Sequence, residues 1–265
     1  MGDLPSIIAG LLVGFLVGLT GIGGGALMTP ILVLIFGTAP KTAVGTDLIF
    51  AALTKVAGVS VHASRGTIDW QVVRRLAWGS IPAALLTGLF IRYYGSDSAR
   101  LNHRIMMIMG AMLLVTALGL LAKPWLHEIG RSFRLDNAER FKSLQAPLTI
   151  LAGFLLGAVV TLTSIGAGAL GSVIMLYLYP LRLTPARVVG TDLAHAIPLA
   201  LVAGAGHLFL GDVDGRLLMA LLSGSIPGVL LGSRLAAGAP DRLLRPALAV
   251  LLLATSLKIA WGFWH

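Results

Sequence analysis

Cysteine is absent from the 265 residues, which excludes disulfides, thiolate metal sites and cysteine nucleophiles. Charge is scarce: 12% of the chain is Asp, Glu, Lys or Arg, about half the ~25% of soluble domains. Enzyme signatures are missing too. There is no Ser/His/Asp constellation, and Gly21-Ile22-Gly23-Gly24-Gly25 only superficially resembles a dinucleotide fingerprint. It has neither the preceding soluble strand nor the acidic residue of a βαβ unit. The spacing of His and acidic residues gives no metal-site pattern, so no metal, cofactor or enzymatic activity is expected. A cleavable leader is not expected either, because Asp3 stands where a basic region is needed.

What is present is apolar. Hydrophobic residues make up 57% of the chain, and the mean hydropathy is +0.90. Eight apolar segments follow, at about 6–36, 46–64, 72–92, 105–122, 147–178, 188–209, 216–235 and 243–263. Most are long enough to span a bilayer, which takes roughly 20 residues. The fold class is therefore an all-α polytopic membrane protein. The net charge of +9 does not indicate nucleic acid, because Lys and Arg sit mostly in short connections and no basic cluster interleaves with aromatics.

The first and fifth segments are broken. Thr20 to Leu27 places four glycines in five positions, Gly21, Gly23, Gly24 and Gly25, and each costs a helix about 1 kcal/mol against Ala. Thr163 to Leu170 repeats the break with Ser164, Gly166, Ala167 and Gly168. The halves match elsewhere at a nearly constant offset. Gly14 matches Gly157, Val44 to Leu48 matches Val189 to Leu193, His62 matches His207, and Gly79-Ser80-Ile81-Pro82 recurs as Gly224-Ser225-Ile226-Pro227. The domains read as a first repeat over 1–122, a linker over 123–145 and a second repeat over 146–265. The linker is either a solvated loop or carries an interfacial helix.

Charge orients the repeats. If each broken segment crosses once, Lys and Arg divide almost evenly between the two sides. If each is a re-entrant hairpin, one side collects Arg65, Arg74, Arg75, the five basic residues of 123–145, Arg182, Arg187, Arg234, Arg242 and Arg245. The other holds only Lys41, Arg92, Arg100, Arg104, Arg216 and Lys258. Only the second arrangement shows the positive-inside bias. It gives inverted repeats, each a re-entrant glycine-rich segment followed by three transmembrane helices, with the N-terminus outside and 123–145 cytoplasmic.

Inverted repeats with broken helices are a recurrent transporter plan. The two tips meet near the midplane and expose half-helix N-termini beginning near Ala26 and Ala169. Free N–H groups and a partial positive charge there favour an anion. The candidate substrate-binding residues are Thr20, Gly21, Gly23, Gly24, Gly25, Thr163, Ser164, Gly166 and Gly168, with Lys55 as counter-charge. A lysine inside an apolar segment is costly and usually functional, although it can also snorkel to an interface. Its match in the second half is Ala200. Candidate coupling or gating residues are Thr46, Asp47, Thr191, Asp192 and His195. The aspartates alternatively cap helices, and His195 pairs with Asp192 or makes a structural hydrogen bond. His62 and His207 read as interfacial. Pro82 and Pro227 read as hinge or packing residues one turn inside helices, beside small residues that allow close contact.

The chain resembles the sulfite exporter TauE/SafE family of bacterial membrane proteins over about residues 5–262. The features that carry this are GFLVGLTGIGGGALMTP from Gly14 to Pro30, Val44 to Leu48, the Gly-Ser-Ile-Pro of both halves and the second glycine-rich repeat. Ser164 and Ala167 depart from the glycines of the first copy. The resemblance implies a transporter with duplicated halves, of a kind usually associated with export of sulfite, sulfoacetate or related sulfur-containing organic anions. With the repeat plan above, the expectation is a secondary transporter in the bacterial inner membrane working by alternating access. An anion channel and a non-transporting scaffold subunit are the alternatives. The expected partners are a small anion and the lipid bilayer, with a homodimer left open and nucleic acid excluded.

Overall fold

The computed structural model describes residues 3–20, 25–64, 66–94, 98–136, 138–235 and 241–262. These form ten helices and no strand among the described residues. In order they are α1 (Asp3–Thr20), α2 (Gly25–Leu34), α3 (Pro40–Ser64), α4 (Trp70–Tyr94), α5 (Ser98–Asp136), α6 (Ala138–Thr163), α7 (Ala169–Leu178), α8 (Pro185–Phe209), α9 (Gly215–Leu235) and α10 (Asp241–Trp261). Five helices are long and apolar enough to cross a membrane: Trp70–Tyr93, Ala99–Lys123, Lys142–Thr163, Pro185–Phe209 and Gly215–Leu235. Large apolar side chains such as Trp78, Phe90, Leu121, Leu155 and Leu231 are exposed on the outer surface. Water tolerates such a surface poorly and a bilayer solvates it. The chain is a multi-pass membrane protein.

Local signals explain the helix ends. Asp69 caps α4 by accepting from Val72 N at 3.2 Å. Asp214 caps α9 in the same way, from Leu217 N at 2.9 Å. Thr184 caps α8, followed by Pro185, whose missing N–H costs nothing at a first helical position. Just past α3 and α8 the backbone turns through positive φ at Gly66 (63°) and Gly211 (77°), the left-handed region that glycine enters without strain.

The halves interdigitate. At the centre α3 and α8 run antiparallel: a Cβ on Gly204 would meet Ile49, and one on Gly45 would meet His207 and Asp212. α1 lies parallel to α9 at very close range, with Gly10, Gly14 and Gly18 facing the backbone of Leu221, Ser225 and Val229. From the other side Gly224, Gly228 and Gly232 face Ile7, Leu11 and Phe15. α4 and α6 make the corresponding contact through Gly79, Gly153 and Gly157. Without Cβ atoms the helices approach until backbone touches backbone, the small-residue packing that membrane helices favour. Pro82 and Pro227 stand near the middle of α4 and α9, about three turns in and not one.

Two ends of the molecule can be defined. At the first, Asp3 pairs with Arg216 (3.1 Å) and Lys41 with Asp212 (2.8 Å). At the second, Arg182 holds Asp69 through two bonds of 2.6 and 2.8 Å, and Arg75 donates to Tyr179 (3.0 Å). Gln145, early in α6, donates to the carbonyl of Leu178, the last residue of α7, at 2.5 Å. The α6–α7 pair thus turns back to the second end. α1 and α2 turn back to the first, where Asp3 and Ser6 share a cavity of about 260 Å³ with Phe36 and Thr38.

Of the two readings of the stretch 123–145, solvated loop or helix-bearing linker, its described residues form the helical one. α5 continues through Lys123 to Asp136, and α6 starts at Ala138. At 1.5 Å per residue, the 39 residues of α5 exceed any bilayer core by roughly 25 Å or more. The helix therefore projects beyond the apolar belt at the second end.

Candidate functional site

The buried polar residues concentrate where α3 and α8 meet the starts of the short helices α2 and α7. Lys55, Asp47 and Asp192 are 3%, 0% and 2% exposed, and Lys55 lies within electrostatic reach of both carboxylates. The two aspartates sit seven residues into α3 and α8, so neither caps its own helix, as one reading of the sequence allowed. Each instead faces a short helix of its own half. The Thr29 hydroxyl of α2 donates to Asp47 Oδ2. Asp192 lies over the first turn of α7, where a Cβ on Gly171 would stand 2.2 Å from its Oδ1. α7 has no side-chain cap at Gly168, and a carboxylate there complements the positive end of the helix.

The second break is described in full. Thr163, the last residue of α6, donates its hydroxyl to the Val159 carbonyl (2.8 Å) and accepts from Ile165 N (3.2 Å), so its one donor is turned toward backbone. Ser164 has φ 57°, an uncommon conformation for a residue with a Cβ. It is the counterpart of Gly21, a position where glycine carries no such strain. Its hydroxyl faces Asp47, is buried, and has no hydrogen-bond partner within bonding distance. Gly166 and Gly168 take φ of 117° and 119°, so the backbone of the tip depends on both. In the first break, Gly21, Gly23 and Gly24 lie outside the described residues. Thr20 ends α1 and Gly25 opens α2.

Thr46 and Thr191 each bind backbone of the opposite half. Thr46 Oγ1 accepts from Asp214 N at 3.0 Å and Thr191 Oγ1 from Asp69 N at 2.9 Å. His195 is hydrogen-bonded through Nε2 to Ser80 Oγ of α4 (2.8 Å). His207 is 1% exposed, held by Asp212 (3.3 Å) and the Thr161 carbonyl (2.9 Å); it is a buried structural residue, not an interfacial one. The side chain of His62 lies outside the described residues. Lys55 does not snorkel: it is among the most enclosed polar residues of α3.

Sequence reasoning missed Thr29, Asp69, Arg182, Asp212 and Asp214. The signal for two of them was available, since Asp69 and Asp214 stand at the same offset as Asp47 and Asp192. Arg182 and Lys41 have no such counterparts.

A family model described as "Sulfite exporter TauE/SafE" matches residues 6–259. The chain belongs to the sulfite exporter TauE/SafE family. It is 39% identical over 96% of its length to "Probable membrane transporter protein YjnA" of Bacillus subtilis, of which 98% is covered. A protein of Xylella fastidiosa named "Probable membrane transporter protein" is 26% identical over 98% of the chain and 96% of its own length. A "Probable membrane transporter protein MJ0441" of Methanocaldococcus jannaschii is 28% identical over 79% of the chain and 73% of its own length. No solved structure matches the chain. Family and relatives make it a membrane transporter and not an enzyme, working in a lipid bilayer on a small-molecule substrate.

Proposed function

We propose that this chain is a secondary transporter exporting small sulfur-containing anions, such as sulfite or sulfoacetate, across the bacterial inner membrane. The observation that carries the reading is Lys55, a lysine sealed inside the protein within electrostatic reach of Asp47 and Asp192, the two aspartates that face the short helices. The anion would sit between the tips. Backbone N–H groups around Gly23, Gly24, Gly25, Gly166 and Gly168 and the hydroxyls of Thr20, Thr163 and Ser164 would hold it, with Lys55 as counter-charge. In the second break the Thr163 hydroxyl donates to backbone, whereas the Ser164 donor is not committed to it.

The membrane arrangement follows the same reading. α1–α2 and α6–α7 would be re-entrant hairpins entering from opposite faces, and the halves would be inverted repeats. The reciprocal bonds of Thr46 and Thr191, and the matched α1–α9 and α4–α6 contacts, support a two-fold relation in the membrane plane. The second end collects Arg74, Arg75, Arg182, Arg187, Arg234 and the projecting part of α5, which supports a cytoplasmic assignment for it. Access would alternate as the halves rock about α3 and α8. Proteoliposomes loaded with each candidate anion test this: labelled anion should enter by counterflow against an unlabelled pool, and single-channel currents with no counterflow would overturn the carrier reading.

A further inference from the structure

The buried charges do not balance an anion by themselves. Lys55 is one cation facing two carboxylates, Asp47 and Asp192, all almost fully enclosed. Their hydrogen bonding differs. Asp47 keeps the Thr29 hydroxyl on Oδ2, whereas Asp192 has no side-chain hydrogen-bond partner and faces the backbone of Gly168 at the start of α7. Asp192 is also the stronger electrostatic partner of Lys55. The ammonium and the positive end of α7 together make a charged Asp192 tolerable in a low-dielectric interior.

An anion that engages Lys55 takes that counter-charge away. Asp192 is then an ionised carboxylate left with the backbone of α7 alone beside a second negative charge, a costly arrangement in a protein interior. The remaining groups facing it do not replace the ammonium. α7 offers backbone at Gly168 and Gly171. His195 on α8 is committed to Ser80 of α4, and beyond α6 the Ser164 hydroxyl faces Asp47. Lys123 of α5 acts on Asp192 only as a weaker, more distant charge. Asp192 stands seven residues into α8, which begins at the second end. A cavity of about 380 Å³ lined by Lys123, His127, Arg182, Thr184 and Val188 opens there, and Val188 lies one helical turn before Asp192 on the same face.

We propose that Asp192 takes up one proton for each anion that binds Lys55, so that anion and proton cross together. The proposal rests on the anion-site reading above. The step is a simple protonation: the carboxylate gains the proton that compensates the arriving negative charge. Its consequence is directional. For a monoanion the moving unit is neutral, so an inside-negative potential no longer drives exit, and an inward proton gradient opposes export and favours uptake. The same chain would then run in the direction set by the anion gradient and the pH gradient together.

Calorimetric titration of the purified protein, repeated in buffers of different ionisation enthalpy, counts protons taken up per anion bound. The probes are sulfite, thiosulfate, sulfoacetate and sulfolactate, with the protonation of the free anion subtracted. The expected result is uptake of about one proton, with affinity falling roughly tenfold per pH unit in the range where Asp192 is ionised in the free protein. Asp192→Asn, which imitates the protonated carboxyl, should bind the anion without proton uptake and with little pH dependence, while Asp47→Asn retains uptake. Binding by the unmodified protein with no proton uptake between roughly pH 6 and pH 8 overturns the proposal alone, and needs no variant to fold. Failure of all four anions to bind overturns the anion-site reading and the proposal with it.

Discussion

Thr191 Oγ1 accepts a hydrogen bond from the backbone N–H of Asp69 at 2.9 Å. The bond joins α8 of one half to the residue that caps α4 of the other, and Thr46 and Asp214 repeat it at 3.0 Å. Both hydroxyls are fully buried. Replacing either threonine by valine keeps the shape and strands a backbone donor, which costs about 1–3 kcal/mol. Thr191→Val and Thr46→Val should each lower the thermal unfolding midpoint in detergent, and Thr191→Ser should restore most of it. A loss of transport with unchanged stability would instead place these residues in coupling.

The glycine faces of α1 and α9 predict a sharper steric effect. A Cβ at Gly224 would stand 1.9 Å from the Ile7 carbonyl oxygen, and one at Gly14 would stand 2.5 Å from that of Ser225. Both neighbours are backbone, so the helices must separate. Gly224→Ala and Gly14→Ala should each cost about 1–3 kcal/mol or more, read as loss of monodisperse protein on size exclusion after heating. Gly88→Ala, with nothing within 4 Å of the added atom, is the control expected to be silent.

The sequence already disclosed this much in physical terms. Apolar runs and their breaks are a local property of the chain, so the membrane class and the interrupted segments were readable, and α7 begins at the expected Ala169. Repetition exposed Gly79, Gly224, Asp47 and Asp192, because two copies of one chemistry stand at one offset. Three-dimensional partners were not readable. Nothing in the spacing of Thr191 announces Asp69, 122 residues away, and Arg182 finds Asp69 without a counterpart in the first half. The polar stretch 123–145 left loop and helix both open for another reason. Polarity marks exposure to water, and an exposed segment can be a helix as readily as a loop.

The absence of cysteine makes topology directly measurable. A single cysteine at position 2 should react with an impermeant maleimide added to intact cells, while one at position 130 should react only after permeabilisation. Labelling of position 130 but not of position 2 in intact cells would reverse the orientation and move the basic end outside.

Asp212 lies in the connection between α8 and α9, outside the membrane-spanning segments. Burial pushes its carboxyl up, but hydrogen bonds from His207 and Lys41 and the charge of Lys41 outweigh this and hold it below the ordinary carboxylate value. A group with a depressed folded pKa contributes stability that is complete above the unfolded value of about 3.9 and is lost as pH falls through the folded one. Acid should therefore weaken the first end of the molecule below about pH 4. Asp212→Asn should be less stable than the unmodified protein at neutral pH and should lose less on acidification, measured as unfolding midpoints across a pH series. Parallel pH curves for the two proteins would show that Asp212 contributes nothing through its charge.

Lys55 carries the functional reading, and its removal discriminates between roles. A buried ammonium that only balances Asp192 should leave a destabilised protein when replaced, because the carboxylate loses its counter-charge. A ligand-binding ammonium should lose affinity as well. Lys55→Ala should bind the anion about 10–100-fold more weakly, since a charged hydrogen bond contributes roughly 1.5–3 kcal/mol. Combining it with Asp192→Asn separates the two effects. The double variant removes both charges of the pair, so stability should recover while affinity stays low. If affinity recovers along with stability, Lys55 does not touch the anion, and its place near Asp47 and Asp192 is purely structural. If affinity stays low in a protein as stable as the original, the ammonium is the anion's partner.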